Sequence, residues 1–104
     1  MILHLVTFRF TDDVTESDVA ALTEALTTMA TRVDSLRSYV AGANLHIRPG
    51  ADYAVAAIVD DAAGLEAYLD HPEHTGVYER LLGRMVAERS AAQLPLAAGA
   101  LTKG

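Results

Sequence analysis

The opening residues of the chain, MILHLVTFRF, alternate in character. Ile2, His4, Val6, Phe8 and Phe10 fall on one side of an extended chain, and Leu3, Leu5, Thr7 and Arg9 on the other, which predicts a strand over 2–10 with one large-aromatic face. TDDVTESD then supplies turn residues and a helix start. Thr15 and Asp18 stand at the spacing of a capping box, with Asp in place of the usual Glu. Val19, Leu22, Leu26, Met29 and Val33 recur at helical spacing and predict an amphipathic helix over 16–33. SYVAGANLHI predicts a second strand, and RPGAD a hairpin turn whose geometry comes from Pro49 and Gly50. YAVAAIV is apolar on both faces and therefore predicts a central third strand. Asp60 and Asp61 open a short helix over 62–70 that carries Leu65, Tyr68 and Leu69 on one face, and Pro72 ends it by disfavouring helical geometry at His71. TGVYERLLGR adds further helical turns, with Gly83 as the stop. MVAERSAAQL reads as a fourth strand. The domain is thus assigned to residues 1–94, and PLAAGALTKG to a loose tail or arm over 95–104.

The order β-α-β-β-α-(α)-β points to an α+β fold, a four-stranded antiparallel sheet with its helices on one face in the ferredoxin-like arrangement. One sheet face then lies under the helices. The other would still carry Leu3, Leu5 and the second apolar side of strand three, and a patch of that kind is not left bare. The expectation is a homodimer, sheet to sheet, forming a dimeric α/β barrel.

Composition narrows the function. A chain of 104 residues is one domain, long enough to bury roughly two-thirds of its unfolded surface. It has no cysteine, which rules out disulfides, a thiolate nucleophile and sulfur-ligated metal. The net charge is −6, the basic residues are scattered, and the single lysine is Lys103, so neither nucleic acid nor an anionic membrane is an expected partner. No apolar run approaches bilayer length, and the N-terminus lacks the basic region and cleavage site of a signal peptide. These features predict a soluble, cytoplasmic protein.

The densest chemistry is YLDHPEH, residues 68–74. Tyr68 lies on the inward helix face, and His4 on the strand face that should meet the helices. His74 follows a proline-enforced turn that could fold it back under the same helix. Three polar groups would then converge in a space otherwise lined by Phe8, Phe10 and Leu26, which is how small-molecule pockets are built. A neutral imidazole takes up a proton near pH 7, and a phenol polarises a carbonyl or holds an enolate. His74 equally reads as a helix-end residue bonded to a backbone carbonyl, and Tyr68 as a core ring with its hydroxyl at the rim. His71 reads as a boundary residue, His46 as solvated, and Asp70 and Glu73 as turn carboxylates facing water. His71 and His74 with Asp70 and Glu73 contain enough ligands for a metal on paper. Zinc helices space their histidines H-x-x-x-H, however, and Pro72 interrupts this pair, so no metal site is expected. No phosphate loop, nucleophile elbow or flavin signature is present in the sequence, and no cofactor is expected.

LHLVTFRF, AGANL, GADYAVAAIVDD and LEAYLDHPEHTGVYERL together resemble the stress-responsive dimeric A/B barrel (Dabb) proteins, over about residues 2–94. Y-x-x-HP-x-H is the most specific element. The resemblance implies a homodimer whose sheets face each other, with a pocket in each subunit between sheet and helices. Members include plant stress-induced proteins and cyclases related to olivetolic acid cyclase, in which a Tyr and a His of this element perform an aldol condensation without cofactor. By position these fall on Tyr68 and His74, with His4 as the strand-one histidine. Leu26 stands near the place of a further cyclase tyrosine on the first helix. The resemblance favours binding, and possible transformation, of a small carbonyl-bearing or aromatic molecule. The alternatives it leaves open are a non-catalytic stress-associated dimer or assembly and a monooxygenase-like barrel.

Overall fold

The computed structural model describes residues 1–97 and 99–101. Its elements follow as β1 (Ile2–Phe10), α1 (Glu16–Thr31), β2 (Leu36–Ala43), β3 (Tyr53–Val59), α2 (Ala62–Leu69) and α3 (Pro72–Val77). A π-helical turn (Tyr78–Leu82), one further helical turn (Gly83–Met85) and β4 (Val86–Pro95) complete the chain. The sheet order is β2-β3-β1-β4, with every neighbouring pair antiparallel. This is the ferredoxin-like arrangement, with the helices packed on one face.

Local chemistry explains the boundaries. At the start of α1 the Asp18 amide donates to Thr15 Oγ1 (3.1 Å) and the Thr15 amide to Asp18 Oδ2 (2.9 Å), a complete capping box in which Asp serves as well as Glu. Leu22, Leu26 and Met29 of this helix are buried on the sheet against Val6, Phe8, Tyr53, Val55 and Ala57. Each such side chain contributes about 1.5–3 kcal/mol by leaving water. The helix ends at Thr31, two residues short of the periodic pattern, yet Val33 still packs in the core.

Three sequence expectations change. β2 stops at Ala43 rather than running to Ile47, because the Asn44 side chain clasps the loop. Its Nδ2 donates to the Ala51 carbonyl (2.7 Å) and its Oδ1 accepts from the His46 amide (3.0 Å). His46 sits at φ 54°, and Leu45 and Ile47 project into solvent. Gly83 is not a stop, since the helix continues through it to Met85. Its lack of a side chain serves close packing instead: a Cβ there would lie 3.0 Å from the Tyr78 carbonyl oxygen and 3.2 Å from the Tyr78 ring. Lastly, Pro95 pairs with Ile2, and the Leu96 amide donates to the Met1 carbonyl, so the ladder enters the segment assigned to the tail. Ala98 and residues 102–104 of that tail, Lys103 among them, lie outside the described residues.

The face of the sheet away from the helices is apolar and open. Val40, Ala56, Leu5 and Ala92 form one row across the four strands, and Ser38, Ile58, Leu3 and Leu94 the next. Val40 remains 64 % exposed and Leu94 47 %.

Candidate functional site

The corner between α2 and α3 builds the site. Pro72 at the first turn of α3 forces His71 into the extended region (φ −64°, ψ 135°), which ends α2 at Leu69. His71 then caps α3, its Nδ1 accepting from the Glu73 amide at 3.1 Å. His74, one turn into α3, reaches back to α2, with its Nδ1 3.0 Å from the Leu69 carbonyl oxygen. A carbonyl only accepts, so Nδ1 carries the proton and the neutral ring keeps its lone pair on Nε2. The two histidines of the motif are thus used separately. Glu73 turns to Arg32 (3.4 Å), so it is only partly given to water. Among the described residues no group of three or more His, Asp or Glu side chains gathers as metal ligands do.

Tyr68 is buried at the centre of three edge-on ring contacts. Its centroid lies 4.7 Å from His74, 6.3 Å from His4 and 6.2 Å from Tyr39. His4 is 1 % exposed, and its Nδ1 lies 2.9 Å from the side-chain amide nitrogen (Nε2) of Gln93, its partner across the β1–β4 ladder. That amide donates, so His4 carries its proton on Nε2. The two imidazoles therefore hold opposite tautomers, one a donor and the other an acceptor at Nε2.

A hollow of about 60 Å³ lies among these rings, lined by His4, Phe8, Leu26, Tyr39, Tyr68 and His74, with Tyr78 and Arg89 also bordering it. At roughly 30 Å³ per water it has room for about two. Of the residues expected to share a pocket, only Phe10 is elsewhere. It is on the same strand face, but six residues from His4, or about 20 Å at strand rise. There it packs on Tyr53 (centroids 5.6 Å) and borders a larger open groove of about 400 Å³. That groove is the weaker candidate. Its Thr15 and Asp52 are already committed, the first to the α1 cap and the second to the Phe10 amide at 2.8 Å.

Burial sets the titration of the enclosed site. It holds the His4 pKa below its usual value, helped by the positive charge of Arg89 and by His74. It lowers His74 too, with Arg89 pushing the same way and the Leu69 hydrogen bond and Asp70 opposing. Both rings are thereby kept neutral. Tyr39 and Tyr68 are raised by burial, and their mutual influence raises Tyr39 while partly relieving Tyr68. That influence stops short of a hydrogen bond of sound geometry: the Tyr39 hydroxyl is buried with no partner among the described residues. Tyr39, Gln93 and Arg89 belong to no motif that marks them in the sequence. The alternation of Tyr39 with Ala41 was a usable signal, whereas Gln93 and Arg89 depend on the register of a strand with no readable apolar face.

Residues 2–93 match the Stress responsive A/B Barrel Domain, Dabb. The chain belongs to this family. As a Dabb protein it is similar to the uncharacterized protein SCO4036 of Streptomyces coelicolor, at 40 % identity over 77 residues, covering 71 % of this chain and 79 % of that one. Among solved structures it is similar to a dimeric ferredoxin-like protein from Thermobifida fusca, at 35 % identity and a TM-score of 0.85, covering 91 % of this chain and 90 % of that one. The hydroxynitrile lyase of Passiflora edulis shares the fold alone, at 9 % identity and a TM-score of 0.77 over 92 % of this chain and 93 % of that one. Among the described residues of this Dabb domain, no helix is long and apolar enough to cross a membrane.

Proposed function

We propose that this Dabb protein is a homodimer, sheet to sheet, in which each subunit binds a small carbonyl-bearing molecule between sheet and helices and acts on it without cofactor. The observation that carries the chemical part is the hydrogen bond from His74 Nδ1 to the Leu69 carbonyl, which leaves Nε2 as a neutral base beside the Tyr68 phenol. His74 would take a proton from the carbon next to the carbonyl. The electron pair moves onto the carbonyl oxygen, and the Tyr68 hydroxyl donates to the resulting enolate. Such an enolate is the nucleophile of an aldol-type condensation. Phe8, Leu26 and Val6 keep water from the reacting atoms.

Proton exchange tests this without knowledge of the natural substrate. The protein should accelerate exchange of the α-protons of small ketones into deuterium oxide, followed by proton NMR. His74→Ala should lose about 10²- to 10⁴-fold of that acceleration while staying folded. No acceleration by the wild type, or an unchanged rate in His74→Ala, contradicts the catalytic role.

The dimer rests on the apolar rows around Leu5 and Leu3 and on the dimeric Thermobifida fusca relative. Interfaces of this class bury about 1,200–2,000 Å² or more. Leu5→Asp puts a charge in the centre of the face and should give monomer or aggregate by light scattering. A wild-type chain monomeric at micromolar concentration contradicts the dimer.

A second reading, a stress-associated dimer or assembly without catalysis, is favoured by the size of the hollow. At about 60 Å³ it is well below the roughly 300–1,000 Å³ of ordinary ligand sites. In that case the His74–Leu69 bond serves only to fasten the helix corner, and the exchange assay is silent.

A further inference from the structure

Among the described residues lining the hollow, Arg89 is the only charged side chain and none is acidic. Its position follows from register. Arg89 pairs with Phe8, so it projects to the helix side of the sheet, as Phe8 and His4 do. Three other arginines have carboxylate partners, Arg9 with Glu88, Arg32 with Glu73 and Arg37 with Asp60, while Arg48, Arg80 and Arg84 have none among the described residues and line no part of the hollow. Arg89 has no ion pair or side-chain hydrogen bond among the described residues. Its charge is felt inside the hollow, where it opposes protonation of both imidazoles. A second observation comes from the opposite wall, where the buried Tyr39 hydroxyl has no partner. A buried hydroxyl without a partner is costly, and a ligand oxygen that accepted from it would remove that cost. The site therefore offers a cation at its edge and one unfilled hydroxyl, that of Tyr39, within.

We infer that the molecule bound here is a small carboxylate that also carries a carbonyl, with the carboxylate on the Arg89 guanidinium at the edge and the carbonyl oxygen turned inward to the tyrosine hydroxyls. This rests on the hollow being the ligand site, as proposed above, and adds the substrate class. The size of the hollow agrees with it. The enclosed part admits only a few heavy atoms, enough for a carbonyl head, and the rest of the molecule must lie outward along the Arg89 side. The planar guanidinium suits a carboxylate, to which it can donate two parallel hydrogen bonds.

The test is a titration of the full chain, following the aromatic NMR signals of Tyr68 and His74. The probes are pyruvate, levulinate and phenylpyruvate, each beside its methyl ester, with inorganic phosphate as an anion lacking a carbonyl. At least one acid should bind about ten-fold or more tightly than its ester, and more weakly as salt is added. Arg89→Gln should bring acid and ester to near-equal affinity, and Arg89→Lys should restore part of the preference. Arg89 is exposed on an edge strand, so both variants should keep the wild-type melting temperature within a few degrees. Ester binding equal to acid binding in the wild type overturns the inference but leaves the hollow as a ligand site. So does an acid preference that survives Arg89→Gln. Phosphate shifting the Tyr68 and His74 signals as strongly as the best acid overturns it as well, by showing a general anion site. If neither acids nor esters bind at millimolar concentration, the inference and the ligand site fall together.

Discussion

Two buried tyrosines, Tyr53 of β3 and Tyr68 of α2, lie in the one core between sheet and helices and are treated in opposite ways. Tyr53 is sealed: its hydroxyl bonds Thr23 Oγ1 at 2.8 Å, and its ring packs on Phe8 and Phe10 with centroids 6.5 and 5.6 Å away. Every polar atom of that side chain is answered by the fold. Tyr68, nearer the start of β1, is ringed by His4, His74 and Tyr39, and the Tyr39 hydroxyl beside it is left without a partner. A fold that can satisfy a phenol at one end of its core and leaves one unsatisfied at the other has placed stability at the first and reserved the second. Polar groups that are buried and unanswered mark sites better than polar groups that are merely buried.

The contrast can be broken most forcefully at the sealed end. Tyr53→Ala should cost about 3–5 kcal/mol in urea unfolding, the range for removing a fully buried aromatic ring. A loss under 1 kcal/mol would mean that this end is not the keystone described. A smaller, graded effect belongs to the other end and appears with pH. Burial holds the His4 and His74 pKa values below 6.5 in the folded chain, so in the window beneath 6.5 the unfolded chain binds protons that the folded chain does not. Stability is complete above that value and falls as pH drops through the window. The Asp18 and Asp60 carboxyls, held below 3.8 by hydrogen bonds from Thr15 and Arg37, act only at lower pH. A His4→Gln, His74→Gln double variant should flatten the profile between pH 7 and 5, and an unchanged slope would show that other groups carry it.

The smallest effects sharpen the comparison, because they change one oxygen atom each. Tyr53→Phe deletes a made hydrogen bond and should cost about 0.5–1.5 kcal/mol. Tyr39→Phe deletes an unanswered hydroxyl and should be neutral or stabilising by the same measurement. Equal losses for the two would erase the distinction between the ends.

Much of this architecture was legible from the residues. The alternation in β1, the periodic stripe of α1 and the doubly apolar β3 dictate the layers. Pro72 locates the corner that turns His74 back toward Tyr68. What escaped detection depends on long-range register. Gln93 and Arg89 lie in a strand of small and polar side chains, and only pairing with His4 and Phe8 reveals which of them faces the helices. Phe10 shows the converse error: sharing a face with His4 is periodicity, whereas sharing a hollow requires proximity along the strand. Gly83 carried the signature of a helix stop, but its role is to let the chain pass against Tyr78, which no local pattern encodes.

Side-chain nitrogen NMR of His74 tests the central claim most directly, since it reports the tautomer and the pKa of one ring. The account predicts a neutral imidazole with the proton on Nδ1, the lone pair on Nε2, and a titration midpoint below 6.5. A proton on Nε2, or a midpoint at or above 6.5, would contradict it, because the ring could not then stand as a free neutral base beside Tyr68.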